Sequence, residues 1–284
     1  MEAIADLFAW FADAVARRAP ISIRIELTRY VAGSLTVFLL VWVALHGRLA
    51  HRKIRKPTPR RKQIQREVGY SVLTVVIFML MGVFVYEGAA GGVFKFYSDV
   101  DAYGWPYLIF SILLLAVFHD AYFYWTHRAM HHPKLFRHFH AVHHRSINPT
   151  PFTAYSFDPA EAAVNFMVIP LFAFLVPVHD IATITYMWFM IMRNALGHCG
   201  YELMPKSWFK HPILGQSTSI THHDMHHERM NGNYALYFTW WDRWMGTEHS
   251  NYEERFFEVS SRPRKALAPT DAGAAAQAEP AAMA

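Results

Sequence analysis

The sequence contains very little cysteine, since Cys199 is the only one in 284 residues. An intrachain disulfide needs two cysteines and a cysteine-ligated iron–sulfur cluster needs several, so both are excluded.

Charge is also absent from long parts of the chain. Four stretches of 17 to 19 residues, covering 30–47, 68–86, 102–118 and 162–178, contain no Lys, Arg, Asp or Glu. Because about 20 helical residues cross a hydrocarbon core, these stretches predict membrane-embedded helices rather than a soluble domain.

We therefore predict an all-α integral membrane bundle of about four to five membrane-embedded helices, with a cytoplasmic histidine-rich cap. A shorter apolar stretch, residues 181–192, is expected to return after a turn near Pro177 and Asp180. Residues 1–26 have apolar side chains at helical spacing and predict an amphipathic helix in the membrane interface. Residues 263–284 are rich in Ala and Pro and predict a disordered tail.

Positive charge is concentrated between the first two predicted spans. Residues 46–69 contain nine Lys or Arg and a single acid, Glu67. Loops on the cytoplasmic side carry such an excess of basic residues, so we expect this segment to face the cytoplasm and anionic lipid head groups rather than nucleic acid. The spans then place the chain after His119, including the C-terminus, on the same side. No endoplasmic reticulum retention signal is evident, which favours a bacterial inner membrane.

Histidine is frequent and clustered. Of 18 histidines, eight fall within residues 119–144 and four within residues 222–227. His127 and His131 are one helical turn apart, and two further sets repeat the spacing i, i+3, i+4, which places side chains on one side of a helix. With His198, the candidate ligands are His127, His131, His140, His143, His144, His198, His223, His226 and His227. One metal ion cannot bind nine imidazoles, so the pattern predicts two metal ions.

Other residues near these sets are candidates for additional ligands or for partners that orient a ligand. Ligating imidazoles usually donate their second N–H to a carboxylate or a carbonyl. The candidates are His119, His222, Asp120, Asn194 and Asp224, with Asp158 and Glu161 as further carboxylates.

Imidazole binds iron, zinc, copper and nickel, so the ligand type alone does not identify the metal. The membrane setting favours iron. The His-Glu-x-x-His signature of zinc proteases is absent, because His227-Glu228 lacks the second histidine. A metal-dependent hydrolase and a non-catalytic metal-binding membrane protein stay open as alternatives.

The histidine sets also resemble those of a known family. The run HDAYFYWTHRAMHHPKLFRHFHAVHHRS, residues 119–146, contains HxxxH and HxxHH boxes similar to those of the fatty acid hydroxylase superfamily. NALGHCGYE, residues 194–202, resembles a third element, with Cys199 and Glu202 in place of Ser and Asp. THHDMHHERMNGNYALYFTWWDRWMGTEH, residues 221–249, resembles the last box of the methylsterol monooxygenase branch.

The resemblance implies a function that the residue spacing alone does not. It implies a non-haem di-iron centre that uses O₂ and two electrons to hydroxylate or desaturate a lipid, such as a sterol-like or fatty-acyl substrate. The uncharged stretches place the first two spans and the basic loop in residues 27–101, and the resemblance, which covers roughly residues 100–250, leads us to expect the catalytic domain in residues 102–262. The chain shows no ferredoxin, flavin or haem domain, so a separate electron donor, ferredoxin or cytochrome b5-like, is expected.

Overall fold

The computed structural model describes residues 2–264, which are almost entirely helical. In chain order the helices are α1 (Glu2–Tyr30), α2 (Thr36–Phe38), α3 (His46–Leu49), α4 (Arg61–Ala90), α5 (Gly104–Met130), α6 (Pro133–Phe139), α7 (Ala141–His144), α8 (Pro159–Phe166), α9 (Val168–Leu175), α10 (Asp180–Gly197), α11 (Lys206–Lys210), α12 (Ile220–Arg229), α13 (Trp240–Met245) and α14 (Tyr252–Ser260). Strands β1 (Phe96–Tyr97) and β2 (Val178–His179) pair in parallel. The predicted all-α membrane bundle is confirmed, and most of the predicted tail, residues 265–284, lies outside the described residues.

Within the described residues, three helices are long and apolar enough to cross a membrane: Ile4–Ala44, Arg61–Ala90 and Gly104–Met130. The first is longer than expected. α1 continues through π-helical turns on both sides of α2, so the helix does not change at residue 26, where the sequence placed the end of an interfacial helix. Its 41 residues have a length of about 60 Å, twice the thickness of a hydrocarbon core.

The predicted hairpin after residue 161 is present, but its outward leg is not one continuous helix. α8 ends at Phe166 and α9 begins at Val168. Pro170 explains the break, because proline has no N–H to donate to the carbonyl of Phe166 and its ring collides with that carbonyl in a continuous helix. The chain then turns through β2 and returns in α10.

The basic segment and the histidine sets lie at the same end of the molecule. Arg55 Nε is 2.8 Å from Asp224 Oδ1, which ties the basic segment to α12. Lys53 also forms an antiparallel bridge with Tyr201, close to His198. The short strands β1 and β2 lie at the other end of the molecule. β1 follows the C-terminal end of α4, and β2 precedes the N-terminal end of α10.

A buried apolar cluster fixes the segment that reaches the histidines. The 3₁₀ helix Pro151–Tyr155 packs against α4 and α10. The Tyr155 ring stacks on Tyr30, with 5.5 Å between centroids, and meets Phe78 edge-on at 5.3 Å. This packing holds the next two residues, Ser156 and Phe157, against the histidine sets.

Candidate metal centre

The structure brings the nine predicted ligands together as two adjacent groups. The first histidine group contains His127, His131, His140, His144 and His226. The second histidine group contains His143, His198, His223 and His227. Within each group, one nitrogen of every ring lies within 4.8 Å of the others. Each i, i+3, i+4 set is therefore divided between the groups, although the spacing alone suggested that its three rings point together.

Many of the imidazoles approach each other through Nε2. In the first group, the distance is 2.9 Å between His127 and His140 and 3.0 Å between His144 and His226. In the second group, the distance is 2.9 Å between His223 and His198. Two nitrogens bound at about 2.1 Å to one metal ion are about 3.0 Å apart at a right angle and about 3.4 Å apart at the tetrahedral angle. These distances fit imidazoles that share an ion.

Backbone carbonyls fix the opposite nitrogen of four rings. In each ring Nδ1 donates to a carbonyl oxygen: His127 to Tyr234 O (2.8 Å), His226 to Gly232 O (2.7 Å), His198 to Asn194 O (2.8 Å) and His143 to Ser156 O (3.3 Å). A carbonyl only accepts hydrogen bonds, so in these rings Nδ1 carries the hydrogen. The Nε2 of a neutral ring is then a lone pair that points into the group.

The pair His143 and His198 tests whether a cation fits the site. Both rings use Nδ1 for a carbonyl, and their Nε2 atoms face each other at 3.3 Å. Neither neutral ring has a hydrogen to offer the other, so two lone pairs are opposed in a buried site. A metal ion between them would satisfy both, and an all-imidazole donor set suits a first-row transition metal such as iron.

The buried position of the rings also favours their neutral form. Burial lowers the pKa of His198 to about 4, and it lowers the pKa of His143 and His226 well below the usual value, helped by the neighbouring imidazoles. The same holds for His140, His144, His223 and His227. Neutral imidazole is the ligating form, so these rings are ready to bind metal at neutral pH.

Two predicted carboxylates lie next to the second box. Glu161 Oε1 is 2.8 Å from His140 Nδ1, so a buried carboxylate lies beside this ring. Asp158 Oδ2 accepts the backbone N–H of Val142 at 2.8 Å and thereby holds the start of α7.

Asp120 and Asp242 act on the ligands through the backbone. Asp242 accepts the N–H groups of Tyr234 and Ala235, each at 2.9 Å, and so holds the peptide whose carbonyl binds His127. Asp120 lies on α5 and accepts the backbone N–H of Tyr237 at 2.8 Å. This hydrogen bond anchors the segment that begins at Tyr237 to α5. Asp242 lies within the run 221–249, but the sequence gives no sign of this role, since the contact appears only in the fold.

His119 and His222 lie outside both histidine groups. His119 Nδ1 is 2.7 Å from the hydroxyl of Tyr186 and 3.2 Å from that of Tyr237. The His222 ring packs edge-on against Tyr252, and its Nε2 is 3.4 Å from Asp242 Oδ2.

Asn194 and Asp224 also contribute indirectly. The Asn194 side chain donates to Ala154 O at 2.7 Å, while its backbone carbonyl orients His198. Asp224 points to Arg55 rather than to a ligand, and burial raises the pKa of this carboxyl to about 6 against the effect of Arg55.

A small cavity of about 40 Å³ lies close to both groups, and we call it the reaction chamber. Its walls are Phe78, His119, Phe123, Tyr155, Phe157, Asn165, Met190, Asn194 and Leu236. The Phe123 ring lies 4.8 Å from the His127 ring, and the Phe157 ring lies 5.4 Å from the His143 ring. Each histidine group therefore has one member in contact with an aromatic wall residue of the chamber.

Comparisons with known proteins agree with this site. Residues 112–247 match the fatty acid hydroxylase family and include all nine clustered histidines. The chain is 31% identical over 197 residues to a Delta(7)-sterol 5(6)-desaturase, ERG3B, of Gibberella zeae, covering 68% of this chain and 58% of the relative. It is 29% identical over 198 residues to lathosterol oxidase of Rattus norvegicus, covering 68% and 64%. No solved structure matches the chain.

The chain belongs to the fatty acid hydroxylase superfamily, and the sterol desaturases are among its relatives. The alignments with the fungal and rat proteins span less than two thirds of those relatives. Residues 2–111, which include α1 and α4, lie outside the matched domain.

Proposed function

We propose that the protein is a membrane-bound di-iron oxygenase that uses O₂ and two electrons to hydroxylate or desaturate a C–H bond of a lipid. The observation that carries the proposal is the pair of adjacent histidine groups beside one apolar chamber. The named activities of the fungal and mammalian relatives support a sterol-like substrate and favour desaturation over hydroxylation.

Two iron ions would supply the O₂ activation and electron transfer that no side chain of this protein can perform. The first group would hold one ion and the second group the other. The carbonyls of residues 156, 194, 232 and 234 keep Nε2 of their imidazole partners directed at the site. Phe123 and Phe157 form apolar walls that exclude water and position the substrate carbon.

We also propose that the histidine end faces the cytoplasm, in a bacterial inner membrane, where a separate ferredoxin or cytochrome b5-like protein donates electrons. The support is that the basic segment and the histidine groups share one end of the molecule. Lys56, Arg60, Arg61 and Lys62 are exposed there and could attract an acidic donor.

The test combines metal content with lipid analysis. Wild type is compared with H143A/H226A, which removes one ligand from each group, and with H46A/H138A, whose histidines are exposed. Membranes containing each variant are supplied with O₂ and reductant, and extracted lipids are compared by mass.

We expect about two irons per chain and an O₂-dependent lipid product in wild type and in H46A/H138A, and loss of both in H143A/H226A. The product should be heavier by one oxygen or lighter by two hydrogens. Stoichiometric zinc with O₂-independent products would instead support the metal-dependent hydrolase. A folded protein that binds no metal would contradict the proposal.

A further inference from the structure

A second, larger cavity lies beside the reaction chamber and outside the histidine groups. It has a volume of about 370 Å³, within the range of small-molecule sites, and it is enclosed by α1, α4, α8, α9 and α10. Its walls are mainly apolar and include Ile21, Ile25, Phe78, Val85, Phe166 and Ile169. The shape and chemistry of this lipid cavity, as we call it, suit an apolar molecule.

The lipid cavity lies between the reaction chamber and a groove on the outer surface of the helices. It shares the wall residues Phe78, Asn165 and Met190 with the reaction chamber. On its other side it shares Arg29 and Ile184 with a groove of about 400 Å³ between α1 and α10. Ile184 is 57% exposed, as expected for a side chain at an opening to lipid. The three spaces therefore lie side by side, in order from the outer surface of α1 and α10 to the neighbourhood of the histidine groups.

Two buried charged side chains interrupt the apolar wall of this path. Glu26 and Arg29 are only 6% and 3% exposed, and Arg29 Nη1 is 2.7 Å from Glu26 Oε1. Arg29 Nη2 also donates to the Tyr155 hydroxyl at 3.2 Å, and Tyr155 is a wall of the chamber. The ion pair therefore lies in the wall of the lipid cavity, where Arg29 borders the groove and also contacts a wall residue of the chamber.

The pair has unused hydrogen-bonding capacity. Among the described residues, Glu26 Oε2 and Arg29 Nε have no hydrogen-bond partner. Buried polar groups are rarely left without partners, because each one costs roughly 1–3 kcal/mol. By contrast Arg18, the third charged wall residue, is paired with Glu87 and stacks on Tyr86.

One free acceptor and one free donor on the same ion pair are the complement of a hydroxyl group. A lipid O–H can donate to Glu26 Oε2 while its oxygen accepts from Arg29 Nε. A carboxylate or phosphate would be repelled by Glu26, and an amine would be repelled by Arg29. The pair therefore selects a neutral polar end.

We propose that Glu26 and Arg29 bind the hydroxyl of an apolar lipid with a single hydroxyl group, which enters between α1 and α10. This rests on the proposed function in that the bound lipid is the substrate.

The test is equilibrium binding to the metal-loaded protein without O₂ or reductant. The probes are 5α-cholestan-3β-ol against 5α-cholestane, and octadecan-1-ol against octadecane. Wild type is compared with Glu26→Leu/Arg29→Met, because replacing both members of a buried ion pair by apolar side chains of similar volume usually preserves the fold, whereas removing one leaves a buried charge. Metal content checks that the fold is kept. The matched control is Asp13→Leu/Arg17→Met, an exposed ion pair on the same helix.

We expect the preference of wild type for the alcohol over the hydrocarbon to exceed that of the double variant by about 10- to 100-fold, and the control to resemble wild type. Selection by the sterol pair or by the fatty alcohol pair would each support the site and identify the lipid skeleton. Equal preferences in wild type and the double variant, or binding of neither alcohol, would overturn it. Because binding needs no turnover, a protein that binds alcohols but oxidises nothing would contradict only the proposed function.

Discussion

The two histidine groups differ in the parts of the chain that build them. α5 contributes to the first group only, through His127, and His198 at the end of α10 contributes to the second group only. The segment 140–144 and α12 contribute to both. The packing of α5 against α10 therefore sets how far apart the groups lie, while the two shared elements connect them.

The groups also differ in what orients their rings. In the first group, His127 and His226 donate to carbonyls of residues 234 and 232, in the loop that Asp242 anchors. In the second group, His143 and His198 donate to carbonyls of residues 156 and 194, in other elements. A mutation can therefore affect one group while the other keeps its ligands, which makes the division testable.

The largest effect is expected from two neighbouring residues. His144 belongs to the first group and His143 to the second, so H144A and H143A should each lower metal content from about two ions per chain to about one. Both should abolish turnover, because both ions are needed. Metal analysis and a spectroscopic comparison of the remaining ion provide the check. The division would be wrong if both variants lost the same ion.

A smaller effect is expected from Asp242→Asn. The substitution removes one of the acceptors that hold the peptide of Tyr234, so His127 is less well oriented and the first group should bind metal about 10- to 100-fold more weakly. The second group should be unaffected in a competitive chelator titration.

Asp224→Asn is the matched control for Asp242→Asn. Asp224 is also a buried aspartate of the cap, but it pairs with Arg55 instead of supporting a ligand. Equal weakening of both groups by Asp242→Asn, or the same weakening by Asp224→Asn, would remove the special role of Asp242.

The smallest effect should come from mutating exposed charges of the basic segment, which leaves both histidine groups intact. Reversing Arg60, Arg61 and Lys62 to Glu should slow donor-dependent turnover about tenfold at low salt, and less at high salt, with metal content unchanged. Turnover is measured in sealed vesicles with an acidic donor added outside, and only vesicles with the cytoplasmic face outward should respond.

Lys206→Glu/Lys210→Glu, on exposed residues of the cap, serves as the control for net charge. Unchanged rates in the basic-segment variant would exclude docking there. Turnover only in vesicles of the opposite orientation would place the histidine end outside.

Local patterns predicted the helical elements well where the physical signal was long. Uncharged stretches predicted α4 and α5, because nearly 20 apolar residues have few alternatives to a buried helix. The same signal did not predict the continuous first helix, since residues 1–26 include the charged residues Arg17 and Arg18 and their apolar spacing is typical of an interfacial helix. In the structure Arg17 pairs with Asp13 and Arg18 with Glu87, so these charges are accommodated without a break.

The sequence by itself determined the membrane bundle and the nine histidines, because hydropathy and helical spacing are local properties. Only the tertiary structure decided which histidine joins which group, because adjacent side chains such as His143 and His144 diverge by about 100° on a helix. It also decided that Glu26 and Arg29 face Tyr155, since that contact joins residues more than a hundred positions apart. Motifs specify which ligands are available, and the packing of distant elements specifies what each ligand faces.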